Sequence, residues 1–135
     1  MPFVQIHTSR PVGAQTRDAL GRALAAAYGE HMRTTQRIVN VGFVHYAPGE
    51  LVRYDADDGG SREMTIVTCA VRGGRTPAML EALGRAITDA CARELGIDAA
   101  RVAVYLDEHP AHTIYRDGGV APAWSAAERD AAERS

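Results

Sequence analysis

The chain has 135 residues, 46% of them hydrophobic and 24% charged, with a formal net charge of −2 and a pI near 6.2. That length suits one domain with a real core, and the slightly acidic balance supplies neither a basic field for nucleic acid nor a polybasic patch for a membrane surface. No apolar run approaches the roughly 20 residues that span a bilayer, and the start lacks the regions of a signal peptide, so a cytoplasmic protein is expected.

The chain opens with Met1-Pro2, followed by Phe3-Val4-Gln5-Ile6-His7. Val4 and Ile6 alternate as in a strand, with Phe3 outside the pattern. Removal of Met1, usual before a residue as small as proline, leaves Pro2 as a free secondary amine held at the edge of a sheet. An α-amino group titrates near roughly 7.7–8.0, lower in an apolar or cationic setting, which suits a general acid or base near neutral pH. Taken alone, Pro2 is more plainly the first residue of an edge strand, where proline is tolerated.

Arg10-Pro11-Val12-Gly13 predicts a turn. Leu20, Ala23, Leu24, Ala27 and Tyr28 then recur at helical spacing in a helix from Ala14 to Met32. A strand follows at Ile38–Tyr46, where Val39, Val41 and Phe43 alternate with Asn40 and Gly42, and Ala47-Pro48-Gly49 ends it. Leu51–Tyr54 reads as a short extra strand. Asp55–Ser61 is an acidic, Gly-rich loop without the acid spacing or closing glutamate of a calcium loop.

The second half repeats the first. Met64–Val71 predicts a strand, Arg72–Arg75 a turn, Pro77–Leu95 a helix and Val102–Asp107 another strand. Thr76 suits an N-cap, Pro77 the first helical position and Gly96 the C-terminal stop. Leu80, Leu83, Ile87, Ala90 or Cys91, and Leu95 form the buried stripe. Ala19-Leu20-Gly21-Arg22-Ala23 recurs as Ala82-Leu83-Gly84-Arg85-Ala86, 63 residues later. The same offset lays Val4 on Val67, Val39 on Val102, Val41 on Val104 and Phe43 on Leu106. A single α/β (α+β) domain is expected over 1–135, with a pseudo-repeat of 2–54 and 63–109 and an irregular tail, 110–135, in which Ser125–Arg134 forms a short exposed helix. Two tandem β-α-β units make a four-stranded sheet with two helices on one face; another subunit covers the other. Val4, Ile6, Val39, Val41 and Val67 are expected to supply both faces. The two cysteines, Cys69 in a strand and Cys91 in a helix, read as reduced and buried.

Arg72-Gly73-Gly74-Arg75-Thr76 sets two guanidinium groups around a Gly-Gly turn that leads into a helix N-terminus, an arrangement suited to a carboxylate or phosphate. For an isolated Arg-x-x-Arg, two solvated arginines on a tight turn is the usual reading. In the first unit Arg72 maps to Ser9 and Arg75 to Val12, so the architecture is expected not to need these charges. Cations at a helix start are also locally unfavourable. Tyr105 in its strand and Tyr28 on the inner stripe of the first helix fit a core, yet a buried hydroxyl needs a partner and either can line a site. The five histidines show no ligand spacing, and no metal is expected.

Pro2, the turn Val71-Arg72-Gly73-Gly74-Arg75 and the run Val104-Tyr105-Leu106-Asp107-Glu108-His109-Pro110, in that order and spacing, resemble the tautomerase superfamily, which uses an N-terminal proline on duplicated β-α-β units. The chain is most similar to the cis-3-chloroacrylic acid dehalogenase group, over nearly its whole length up to about Pro122. The resemblance implies a homotrimer without a cofactor, a pocket around Pro2, Arg72 and Arg75 holding a substrate carboxylate, and Tyr105 positioning water or substrate. Two positions depart from the group. Its helix-borne histidine falls on Tyr28, which still donates a hydrogen bond. Its water-activating glutamate falls on Arg116, or on Ile114 if the loop shifts, with Asp117 adjacent as a substitute. The expected function is a cofactor-independent keto–enol isomerase of a small 2-oxo or enol carboxylate, phenylenolpyruvate-like, with Pro2 moving the proton. The alternatives are a dehalogenase or hydratase of 3-substituted acrylates, or a trimeric binding protein without turnover.

Overall fold

A computed structural model describes residues 2–34 and 38–134. The expected removal of Met1 lies outside the described residues.

Strand β1 (Phe3–Thr8) leads to helix α1 (Ala14–His31) and strand β2 (Asn40–His45). Short strands β3 (Val52–Tyr54) and β4 (Ser61–Glu63) follow. The second unit is β5 (Thr65–Arg72), α2 (Pro77–Leu95) and β6 (Val102–His109). The tail adds β7 (Tyr115–Arg116), β8 (Gly119–Val120) and helix α3 (Ala126–Arg134).

The main sheet has four strands in the order β2-β1-β5-β6. Each unit pairs its own strands in parallel, and β1 and β5 join the units antiparallel. The register carries the repeat as a pseudo-two-fold. Val4 pairs with Cys69 and Ile6 with Val67, so each residue faces the repeat-mate of the other. Likewise Val4 pairs with Val41, and their repeat-mates Val67 and Val104 pair with each other.

The core lies between the sheet and the two helices. Leu20, Leu24 and Tyr28 of α1 and Leu83, Ile87, Ala90, Cys91 and Leu95 of α2 meet Val4, Ile6, Val67, Cys69 and Val71, all buried. Burying a Leu or Ile side chain stabilises by about 1.5–3 kcal/mol, so this layer holds the fold. Helix α2 keeps its predicted bounds because its caps are local: the Thr76 hydroxyl accepts from the Met79 N–H at 3.2 Å and Gly96 takes the left-handed conformation, φ 64°. Cys69 and Cys91 are both free thiols. Burial pushes each up to about 12.

Several expectations change. Strand β2 is shorter than 38–46 because its length is set by pairing with β1, from Phe3–Asn40 to Thr8–His45. The short extra strand pairs with Ser61–Glu63, so the acidic loop becomes the end of a hairpin and gives up Ser61 to a strand. Arg72 belongs to β5 rather than to a turn, and β6 extends to His109 to pair with it. In the tail, β7 and β8 close a hairpin through Asp117 (φ 52°) and Gly118 (φ 79°). Two successive positive φ values favour Asp-Gly at such a turn.

The residues offered for both faces of the sheet in fact serve one. Val4, Ile6 and Val67 are fully buried under the helices, and Val39 and Val41 pack against that core. Alternation places Phe3, Val44, Ile66 and Tyr105 on the other face. There Phe3, Val44 and Tyr105 remain exposed. No helix among the described residues is long and apolar enough to cross a membrane.

Candidate active site

The ends of four elements meet at one edge of the sheet. Continuing the β1–β5 register from Phe3–Ala70 brings Pro2 opposite Val71, one residue short of Arg72. Pro2 is buried, and its carbonyl accepts from the Asn40 N–H at 3.1 Å. Arg72 ends β5 opposite His109, and Gly73 N–H donates to the His109 carbonyl at 2.9 Å. The turn then runs through Gly74, whose φ of 111° needs glycine; a Cβ there would also touch the Trp124 carbonyl at 3.5 Å.

Neither arginine is solvated: Arg72 is 8% and Arg75 6% exposed. Arg75 donates through Nε and Nη2 to the Met32 carbonyl at 3.2 and 3.1 Å, and through Nη1 to the Arg72 carbonyl at 2.9 Å. Its guanidinium lies 4.9 Å from the centroid of the Trp124 ring. Arg72 donates through Nη1 to the Pro122 carbonyl at 2.7 Å. Through Nη2 it pairs with Glu128 Oε1 at 2.8 Å. Thr34 donates to the same Glu128 oxygen at 2.6 Å.

These contacts correct the inference that the architecture does without the charges. A helix leaves its last carbonyls unsatisfied, and Arg75 caps Met32 just after α1. In the repeat, Met32 corresponds to Leu95, whose carbonyl accepts from Arg10 Nη2 at 3.3 Å. An arginine serves both helix ends, from different places in the chain.

Tyr28 joins the cluster from α1, 4% exposed. Burial raises its pKa, with Arg75 and Arg72 opposing, so the hydroxyl stays a proton donor at neutral pH. Burial pulls the Arg75 pKa down, and the neighbouring Arg72 adds to this, while Tyr28 and Glu128 act oppositely. For Glu128, burial alone would raise the pKa, but hydrogen bonds from Arg72 and Thr34 and the two arginine charges bring it below the usual carboxylate value. Two guanidinium groups and one carboxylate leave the cluster net positive.

Three residues named from the sequence stand apart. Tyr105 is 58% exposed and pairs with Thr68, about 13 Å along the strand from Arg72 at 3.3 Å per residue. Asp117 sits at the hairpin tip with its side chain 74% exposed, 3.7 Å from Arg116. Arg116 is largely enclosed, and its Nε is buried without a partner among the described residues. Those residues contain no cluster of His, Cys, Asp and Glu able to hold a metal.

Glu128, Trp124 and Thr34 were not singled out from the sequence. The signal was available: two cations at a helix start need acceptors, and the chain's single tryptophan and an acidic helix lie in a tail with no other assignment.

Residues 66–121 match the model of the Tautomerase family, described as tautomerase enzyme. No curated protein matches the chain. Among solved structures, the chain resembles the wild-type symmetric trimer of the fused 4-OT Q0 (24% identity, TM-score 0.77, 88% of this chain and 94% of that one). It also resembles N1, a member of the cis-3-chloroacrylic acid dehalogenase family (18%, 0.76, 98% and 99%), and Pt0534 inactivated by 2-oxo-3-pentynoate (20%, 0.75, 88% and 94%). The family match covers the second unit, and the chain as a whole shares its fold with these solved structures.

Proposed function

We propose that the chain is a cofactor-independent keto–enol isomerase of a small 2-oxo or enol carboxylate, with Pro2 as the acid–base group once Met1 is removed. The observation that carries this reading is the pairing of β1 with β5, which sets Pro2 within one residue of Arg72 at an end of the sheet that is net positive. Positive charge nearby disfavours the protonated amine, so the Pro2 nitrogen is a neutral base near pH 7.

Arg72 and Arg75 hold the substrate carboxylate. Arg72 accommodates a carboxylate oxygen at 2.8 Å in the resting chain, that of Glu128. Pro2 takes the proton from the enol oxygen and returns it to the adjacent carbon, so the O–H bond breaks, a C–H bond forms and the C=C becomes C=O. One base moving one proton suffices. Tyr28, held protonated by burial, donates to the carboxylate or the oxygen that becomes the carbonyl. Tyr105 lies on the open sheet face and acts only where a second subunit brings that face to a site.

Attack of water on a 3-chloroacrylate needs a free carboxylate base. Arg116 cannot accept a proton, Asp117 is exposed at a hairpin tip, and Glu128 is a weakened base already bound by Arg72 and Thr34. The purified protein is therefore expected to ketonise phenylenolpyruvate, followed by ultraviolet absorbance, and to release little or no chloride from cis-3-chloroacrylate. Rapid chloride release that survives Asp117→Asn would refute this assignment.

The exposed Phe3, Val44 and Tyr105 give the open face an apolar surface to bury, and the similar fused 4-OT is a trimer. Equilibrium sedimentation at micromolar concentration is expected to give a homotrimer. A monomer would leave that face to water and count against the assembly.

A further inference from the structure

The pseudo-two-fold supplies an internal comparison for the arginine cluster. At the opposite end of the sheet, the repeat-mates of Pro2, Arg72, Arg33 and Thr34 are Thr65, Ser9, Gly96 and Ile97. Those four line an open cavity of about 230 Å³. The scaffold therefore does not fill this position by itself. At the arginine end the chain's own tail covers it.

The tail is attached mainly by polar contacts. Glu128 pairs with Arg72 and accepts from Thr34. The Pro122 carbonyl accepts from Arg72. Trp124 covers Arg75 and donates through Nε1 to the Arg33 carbonyl at 2.8 Å. The exposed pair Arg33–Glu133 at 3.7 Å adds little. Among the described residues, helix α3 buries only Ala132. The tie to Arg72 is a carboxylate on a guanidinium, which a ligand carboxylate can replace one for one.

We propose that Glu128 is the resting occupant of the Arg72 carboxylate site, and that a substrate carboxylate binds by displacing it together with the segment Pro122–Arg134. This rests on the reading of Arg72 as the substrate's carboxylate anchor. Glu128 then sets affinity, because the open form is a minority and the apparent Kd rises by the inverse of its population. It also selects: an uncharged ketone cannot compete for Arg72, whereas a 2-oxo carboxylate can.

The test is calorimetric titration with phenylpyruvate of the wild-type protein, of Glu128→Gln, and of a chain ended at Ala123, each checked for folding by circular dichroism. Both variants are expected to bind about tenfold more tightly than wild type. Equal or weaker binding by the folded variants, or no binding by any of the three, overturns the proposal. Tighter binding without conversion of phenylenolpyruvate would refute the isomerase reading and leave displacement standing. Conversion by wild type with unchanged affinity in the variants would do the reverse.

Discussion

Arg75→Ala is expected to lower the melting temperature by about 10 °C, through a loss of about 3 kcal/mol. The substitution leaves two buried acceptors, the carbonyls of Met32 and Arg72, without their donors. It also removes the cation beneath Trp124. Each unsatisfied buried group costs about 1–3 kcal/mol, and the cavity left by the side chain adds to that. Arg85→Ala is the control. Arg85 makes an i,i+4 pair with Glu81 on the exposed face of α2 and should leave the melting temperature almost unchanged. Thermal denaturation by circular dichroism checks both, and an Arg75→Ala midpoint within 2 °C or so of wild type would return this arginine to a purely ligand-binding part.

Blocking the Pro2 nitrogen is expected to lower kcat/KM for phenylenolpyruvate by about 10² to 10⁴-fold, the usual contribution of one positioned acid–base group. An N-terminal extension that keeps Pro2 inside a peptide bond does this directly, since an amide nitrogen does not accept a proton. The sequence contains no lysine, so the processed amine is its only aliphatic amine. Cys69 and Cys91 are buried and pushed up to about 12, which leaves little thiolate to compete. 2-Oxo-3-pentynoate, which inactivates Pt0534, should add once to the processed chain, at Pro2, and not to the extended one. Full activity of the extended chain, by steady-state kinetics with intact mass on the same sample, would remove Pro2 from the mechanism.

The fold was legible where local chemistry decides it. Thr76, Pro77 and Gly96 bound α2 from within its own sequence. The 63-residue echo of Ala-Leu-Gly-Arg-Ala, carried through Val4 and Val67, specified two like units before any strand was paired. Bounds set by a neighbouring strand were less visible: β2 stops where β1 stops, and β6 runs to His109 because Arg72 extends β5. The Asp117-Gly118 turn was written in the letters but read for its carboxylate.

The site was half legible. Arg72, Arg75 and Tyr28 stood out by residue type and place in the repeat, and they come together with Pro2 at one sheet end. Their partners come from far along the chain, Glu128 lying 56 residues beyond Arg72. No periodicity encodes such a contact. Comparing the arginines with Ser9 and Val12 suggested the scaffold could spare them, because the comparison did not include Arg10, which does the Met32-capping task at the other end.

The doubled architecture also fixes a stoichiometry. Each chain presents two related sheet ends, and the proposed mechanism places its amine at only one of them, that of Pro2. At the other, Thr65 stands inside a continuous peptide following Met64, and its nitrogen can never be an amine. On the proposed mechanism each chain therefore carries one working amine for its two related sheet ends.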